Sequence, residues 1–426
     1  MPLLSCVFHS SMFIGIQGVN VSHHSREKIN EIAVLRGMAF SAVVLQHAIA
    51  HFSIVQEVRL EDGVLMSILL LLSKFAVPAF AFITGMLLLY NDREPGVDMG
   101  YGVFLRKRLS GVVIPYLLWS VIYQIANGAI PLTSWNLAAL VDGLTKLFTG
   151  KSSYHLWYII MIIQFYLVYP LFLKGYRAIT AVISERWRLS VLAGTGLLYI
   201  LLMYAVGPMQ QLLSGTNIPV VTPMFTTLAD RNVLYFIFYF VLGAAAGSYM
   251  HRWSEWSRRL QWMYWPAIVV ITGYLLYTLA GSFQQGQELV IRFHSVSLLR
   301  PLMALYCFLL VLAAYRVALL IVNYSERMTR WWSVLGDLSY GSYLIHALML
   351  RVSYLPDEYL LTSLPVVVRM LVSFVLALVL STAATWLLAR LPGGRWLTGM
   401  KVRRRSKDRY KGTGAPPPAP ERSLVP

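Results

Sequence analysis

Residues 35–47, LRGMAFSAVVLQH, place Arg36 and His47 in a run that is otherwise apolar. With its flanks, this run is long enough to cross about 30 Å of hydrocarbon as a helix. An arginine at the centre of such a helix costs roughly 2.5–3.5 kcal/mol on insertion scales. The stretch therefore predicts a membrane-spanning helix whose two ionisable residues need a specific reason to be there.

The whole chain has the composition of a polytopic membrane protein. Of its 426 residues, 57% are hydrophobic and 13% are charged, whereas about 25% are charged in a soluble domain. The net charge is +17, but the basic residues separate apolar runs and do not cluster on a polar domain. This distribution indicates membrane topology and argues against a nucleic-acid partner. The two cysteines, Cys6 and Cys307, give no disulfide framework.

Ten apolar segments are long enough to span a bilayer, namely 32–50, 64–90, 111–126, 156–173, 189–206, 233–249, 263–281, 301–322, 333–350 and 364–388. When the connections between them are assigned alternately to the two sides, one side holds 25 lysines and arginines and the other holds 7. Cytoplasmic loops carry the excess of basic residues. We therefore predict an all-α, polytopic transmembrane helical bundle of about ten spans with both termini in the cytoplasm.

The chain divides into three regions on the same grounds. Residues 1–29 are expected to be a flexible leader, for which a misassigned start codon is an alternative explanation. Residues 30–390 form the transmembrane domain. Residues 391–426 are basic and rich in proline, which predicts a disordered cytoplasmic tail close to the lipid headgroups.

Four ionisable side chains from different spans are predicted at a similar depth. Arg36 and His47 are eleven positions apart, so they share one helix face and are about 16.5 Å apart along its axis. Lys74, His155 and His346 fall level with His47, in the outer half of the membrane. Polar residues at such depth usually face the bundle interior. We predict that His47, Lys74, His155 and His346 form one site; separate helix-packing hydrogen bonds are the alternative.

Basic residues also precede the third span, at the predicted inner surface. These residues are Arg106, Lys107 and Arg108. They are either ordinary flanking charges or the positively charged entrance to a binding site for a phosphate-bearing cosubstrate, since the geometry of the arginine guanidinium matches that of phosphate oxygens. Several histidines could also suggest a metal ion. However, no carboxylate accompanies His47 and His51 in an HExxH arrangement, so we predict no metal site.

Five segments, taken together and in this order, resemble the acyltransferase-3 family of integral-membrane O-acyltransferases. The resemblance covers residues 29–390 and is greatest to small members that acetylate surface polysaccharides and lack an appended esterase-like domain. The segments are INEIAVLRGMAFSAVVLQH (29–47), LSKFAVPAFAFITGMLLLY (72–90), LRKRLSGVVIPYLLWSVIY (105–123), YHLWYIIMIIQFYLVYPLF (154–172) and LGDLSYGSYLIHALML (335–350).

The resemblance implies a multi-pass enzyme of the plasma membrane. It would move an acyl group, most often acetyl, from cytoplasmic acyl-coenzyme A to a hydroxyl of a polysaccharide or lipid-linked sugar, with no permanently bound cofactor. His47 matches the family's essential histidine, and Arg36 matches its arginine. Lys74 and Thr84 stand where the family usually has arginine and serine.

The family's paired arginines before the third helix are only half matched. Arg108 fits the first position, whereas Gly111 stands where the second is often found. Contact with the coenzyme through this element would then require Arg106 or Lys107 as a substitute.

The residue types are consistent with this chemistry. A hydroxyl nucleophile needs a base with a pKa near the working pH, which favours histidine, so His47 is the predicted base. Lys74, or the hydroxyls of Ser339 and Tyr343, would stabilise the tetrahedral oxyanion. Arg36, together with Arg108, would hold the coenzyme phosphates at the inner face.

A transporter or exporter of a glycan or small solute is the alternative from another functional class. Ten spans and buried ionisable groups are equally natural in transporters. The sequence shows no clear internal repeat and no carboxylate near the middle of a span for proton coupling, and both observations favour the enzyme.

Overall fold

The computed structural model describes residues 29–55, 57–91, 100–128, 136–281, 283–285, 289–290 and 293–400. Two short strands, β1 (Gln284–Gln285) and β2 (Leu289–Val290), pair antiparallel, and the other regular elements are helical. The α-helices are α1 (Asn30–Phe52), α2 (Leu60–Ser73), α3 (Ala76–Asn91), α4 (Tyr101–Ala126), α5 (Leu137–Thr149), α6 (Trp157–Val182), α7 (Glu185–Ser214), α8 (Val221–Phe225), α9 (Ile237–Ser248), α10 (Met250–Ala280), α11 (Pro301–Tyr324), α12 (Glu326–Leu360), α13 (Val366–Arg390) and α14 (Gly394–Thr398). Three 3-10 turns, Ala229–Arg231, Val233–Phe236 and Phe293–Val296, complete the set. The predicted all-α class is confirmed.

Within the described ranges, eight helical segments are long and apolar enough to cross a membrane. They are α1, α2 with α3, α4, α6, α7, α10, α11 and α13, and each overlaps a predicted span. The other two predicted spans are helical but differ in kind. The first, 233–249, begins as a 3-10 turn, which leaves α9 with 12 residues. The second, 333–350, lies in α12, whose 35 residues include many polar side chains.

The predicted span 64–90 is interrupted between α2 and α3, and Lys74 lies at this interruption. Pro78 has no backbone N–H to bond with the Lys74 carbonyl, and the Cys307 thiol lies 3.7 Å from that carbonyl oxygen. The neighbouring Ser73 carbonyl accepts a hydrogen bond of 2.7 Å from the Gln46 side chain of α1. Lys74 therefore projects from a helix end inside the bundle and not from a continuous helix.

Helices α1 and α12 cross in close backbone contact. A Cβ atom on Gly336 would lie 1.9 Å from the Ala33 carbonyl oxygen, and one on Gly37 would lie 2.5 Å from the Trp332 carbonyl oxygen. Small residues permit such close approach between membrane helices. Because Arg36 and Asp337 adjoin these two glycines, the crossing fixes the relative positions of the polar residues on both helices.

We expect Gly336→Val to destabilise the folded protein strongly. The added side chain would overlap the α1 backbone, and overpacking of a tight contact typically costs about 1–3 kcal/mol or more. Gly273→Val is the matched control, since Gly273 is also within a helix but a Cβ there meets no atom within 4 Å. Thermal unfolding of the two purified variants in the same detergent measures the effect. Equal melting temperatures would show that the crossing tolerates a side chain.

Candidate active site

Three histidines and a tyrosine from separate parts of the chain meet inside the bundle. The His346 ring centroid lies 5.4 Å from that of His47 and 4.6 Å from that of His155. The Tyr343 ring lies 5.4 Å from both His155 and His346. α1 carries His47, the turn before α6 carries His155, and α12 carries the other two. We call these four residues the histidine cluster.

Hydrogen bonds fix the orientation of two of these histidines. His346 Nδ1 lies 2.5 Å from the Tyr343 carbonyl oxygen, and His155 Nδ1 lies 3.2 Å from Ser153 Oγ. The Tyr343 hydroxyl donates to the His155 carbonyl oxygen. Because a carbonyl only accepts hydrogen bonds, His346 Nδ1 carries the proton and its Nε2 has a free lone pair.

The Nε2 atoms of His155 and His346 are both buried and have no hydrogen-bond partner in the part of the chain that the structure describes. Buried polar atoms in proteins are nearly always paired, so each unpaired one needs an explanation. Two such atoms on neighbouring rings are suited to bind polar atoms of a ligand.

His47 lies at the edge of this cluster. Its ring stacks on His346 with an interplanar angle of 29°, and the Tyr154 ring lies 4.6 Å away on another side. Lys74 is close enough to interact electrostatically with His47. Since Tyr154 is 55% exposed, the His47 side of the cluster is near the surface of the protein.

A cavity of about 700 Å³ adjoins the cluster. Its lining includes four basic side chains and one acidic one: Arg36, Lys107, Arg108, Arg395 and Asp337. It also includes Tyr158 and Tyr343, whose ring centroids are 5.7 Å apart. Asp337 and Tyr343 are six residues apart on α12, which is about 9 Å of helical rise. The cavity therefore extends from a basic region to the edge of the histidine cluster.

The structure places most of the predicted site residues in the histidine cluster or in the lining of the cavity. His47, His155, His346 and Tyr343 form the cluster, and Lys74 lies beside His47. Ser339 lines the cavity, where its hydroxyl donates to the Gly336 carbonyl oxygen at 2.8 Å. The predicted basic residues Arg36, Lys107 and Arg108 line the same cavity, whereas Arg106 is exposed and is not part of the lining.

Sequence reasoning missed several aromatic residues and one arginine. Tyr154 and Tyr158 flank His155 in the segment YHLWY, and their spacing of four residues was an available signal. Tyr123, whose ring lies 5.1 Å from that of His155, had no such signal, because a tyrosine within a largely apolar helix is ordinarily expected to pack in the core. Arg395 falls in the predicted tail, where a basic residue predicts solvation and not a site.

A family model described as an acyltransferase domain matches residues 29–390. The helical bundle and this match define the class of the protein as an integral-membrane acyltransferase. The chain belongs to the acyltransferase-3 family, and its apolar helices make it a multi-pass membrane protein. Among curated proteins and among solved structures, none matches this chain. Over the described ranges, no group of three or more His, Cys, Asp or Glu side chains is arranged to hold a metal ion.

Proposed function

We propose that this protein transfers an acetyl group from cytoplasmic acetyl-coenzyme A to a hydroxyl of a cell-surface polysaccharide or lipid-linked sugar at the plasma membrane. The observation that carries the proposal is the cavity, because it extends from a basic region to Tyr343 at the edge of the histidine cluster. Acetyl-coenzyme A has a matching arrangement, with its phosphates towards one end and its reactive thioester at the other.

The basic region suits the phosphates of the donor. Arg36 and Arg108 can form charge-assisted hydrogen bonds with phosphate oxygens, and Lys107 adds a third positive charge. The lining contains one carboxylate, Asp337, so positive charge is in excess. The uncharged arm of the coenzyme would then follow the cavity towards Tyr343 and place the thioester at the cluster.

The acceptor would meet the thioester at His47. His47 takes the proton of the acceptor hydroxyl while that oxygen attacks the thioester carbonyl carbon. The tetrahedral oxyanion is stabilised by the Lys74 ammonium group. The carbon–sulfur bond then breaks, and the leaving thiolate takes the proton from His47. The products are the acyl ester and free coenzyme A, and His47 is restored to its neutral form.

His155 and His346 would bind the acceptor. The unpaired Nε2 of His346 can accept a hydrogen bond from a sugar hydroxyl while the ring is neutral, and the unpaired Nε2 of His155 can accept or donate one according to its tautomer. Sugars carry several hydroxyl groups. The exposed Tyr154 ring beside His47 provides an apolar surface against which a sugar ring can pack. This arrangement supports a glycan acceptor that approaches from the surface side of the cluster.

The membrane topology that we propose has about ten spans and cytoplasmic termini, with α9 and α12 spanning in addition to the eight long apolar helices. The motivation is the distribution of 25 basic residues against 7. A reporter fused after residue 426 should score as cytoplasmic, and one inserted at Gly128 should score as external. A cytoplasmic score at Gly128 would contradict the topology and the approach of the acceptor from outside.

The function is tested with purified protein and acetyl-coenzyme A labelled in the acetyl group. We expect saturable donor binding and transfer of label to isolated cell-wall polysaccharide or lipid-linked sugars. Movement of a glycan across proteoliposomes without acyl turnover would instead support the transporter.

A further inference from the structure

The segment that follows the last long helix forms part of the cavity wall. Arg395, Trp396 and Gly399 all line the cavity that also contains Arg36 and Arg108. This segment, which includes α14, belongs to the first ten residues of the predicted tail; residues 401–426 lie outside the described ranges. The chain thus contributes a further basic residue to the cavity from a region beyond the family match.

Specific contacts hold this segment against α4. The Trp119 indole N–H donates to the Leu397 carbonyl oxygen at 2.8 Å, and Thr398 is buried. Gly399 has φ of +68°, and a Cβ atom there would lie 2.7 Å from the Gly111 carbonyl oxygen. Only glycine fits both the positive φ and this close approach. The backbone after α14 therefore rests directly on α4 at Gly111.

Gly111 offers its carbonyl oxygen to this contact, while a Cβ atom on Gly111 itself would meet no atom within 4 Å. Arg395 reaches the cavity from this docked segment, so it supplies positive charge that α4 lacks at Gly111. The four basic side chains of the lining then come from three parts of the chain: α1, α4 and α14.

Arg395 and Trp396 offer two complementary chemistries side by side. The Arg395 guanidinium carbon lies 4.3 Å from the centroid of the Trp396 ring, and Trp396 is 39% exposed. A guanidinium binds phosphate, and an indole face stacks on a nucleobase. An anionic lipid headgroup would use the guanidinium alone, whereas a nucleotide uses both.

We infer that Arg395 and Trp396 bind the nucleotide end of the acyl donor, with Arg395 on a phosphate and Trp396 against the adenine. The inference rests on the proposed function, since it assigns one end of the same donor. It predicts that binding of the nucleotide part depends on α14, whereas binding of the pantetheine arm does not.

The test compares donor fragments on the full-length protein in nanodiscs of neutral lipid. Dissociation constants are measured for coenzyme A, adenosine 3′,5′-bisphosphate and pantetheine. We expect Arg395→Ala to weaken the first two by about tenfold or more, because a charge-assisted contact is lost. Trp396→Leu should weaken both by about fivefold or more, since stacking is lost. Pantetheine binding should stay within twofold of wild type in both variants, which also shows that they are folded.

A second Arg–Trp pair nearby gives the matched controls. The Arg390 guanidinium carbon lies 3.2 Å from the centroid of the Trp386 ring, but neither residue lines the cavity. Arg390→Ala and Trp386→Leu should leave all three dissociation constants unchanged, and Arg395→Lys should retain part of the lost affinity.

Two results would overturn this inference without affecting the proposed function. The first is a dissociation constant for coenzyme A that is the same in Arg395→Ala as in wild type. The second is a loss of affinity in Arg395→Ala that appears only in nanodiscs of anionic lipid. The second result would indicate a lipid headgroup at Arg395. If wild-type protein bound neither coenzyme A nor acetyl-coenzyme A, the proposed function itself would fail.

Discussion

His47→Ala is expected to reduce the turnover number for acetyl transfer by about 10²–10⁴-fold, the usual contribution of a general base. The imidazole stacks on His346 and interacts electrostatically with Lys74, and its ring lies 4.6 Å from that of the exposed Tyr154, closer than the His155 ring at 5.4 Å. The measurement is kcat with saturating labelled acetyl-coenzyme A and a fixed polysaccharide acceptor, on purified protein.

His51→Ala is the matched control for this substitution. His51 lies one helical turn further along α1, where its ring stacks on Tyr354 at 3.7 Å and has no contact with the histidine cluster. Donor binding should be near normal in both variants, because neither histidine lines the cavity. Turnover of His47→Ala within a few-fold of wild type would remove His47 as the base.

Arg36→Ala is expected to weaken donor binding by roughly ten- to a hundredfold. A charge-assisted hydrogen bond to phosphate is worth about 1.5–3 kcal/mol, and this range corresponds to that change in affinity. Arg108→Ala should behave similarly because both guanidinium groups line the same cavity. The measurement is the dissociation constant of acetyl-coenzyme A at matched amounts of purified protein.

Arg106→Ala provides the control, since this exposed residue lies in the same basic run but outside the cavity lining. His155→Ala and Lys74→Ala test the other end of the site. They should lower turnover or raise the acceptor KM and leave donor affinity almost unchanged. If donor affinity in Arg36→Ala equals that of wild type, Arg36 only anchors α1 at the membrane surface.

The positions of the helices could be predicted from the sequence because hydrophobicity over about 20 residues is a local property. The interruption at Lys74 was not predicted, because the segment 64–90 is apolar on both sides of Ser73 and Lys74 and is long enough for one span. It depends on Pro78, which removes one backbone donor, and on Gln46 and Cys307, which come from other helices. Local pattern therefore predicts where a helix lies better than where it breaks.

The meeting of His47, His155 and His346 was predictable from their depth in the membrane. Depth gives the level of a residue but not the direction in which its helix face points, so the cavity and its lining could not be predicted. Arg395 shows a second limit. A basic, proline-rich tail predicts disorder by composition, whereas the docking of α14 depends on single contacts such as that between Trp119 and Leu397.

The glycine contact between α1 and α12 fixes the distance between the basic end of the site and the histidine cluster. Arg36 and His47 lie on one of these helices, and Asp337 and His346 lie on the other, so both ends of the proposed reaction path belong to the same rigid pair. Neither helix can slide without a collision at Gly37 or Gly336. In the proposed reaction, this pair would hold the thioester of a bound donor at one distance from the basic end of the cavity. We therefore expect that, in the proposed reaction, carbons beyond an acetyl group would have to extend past the histidine rings towards the exposed Tyr154.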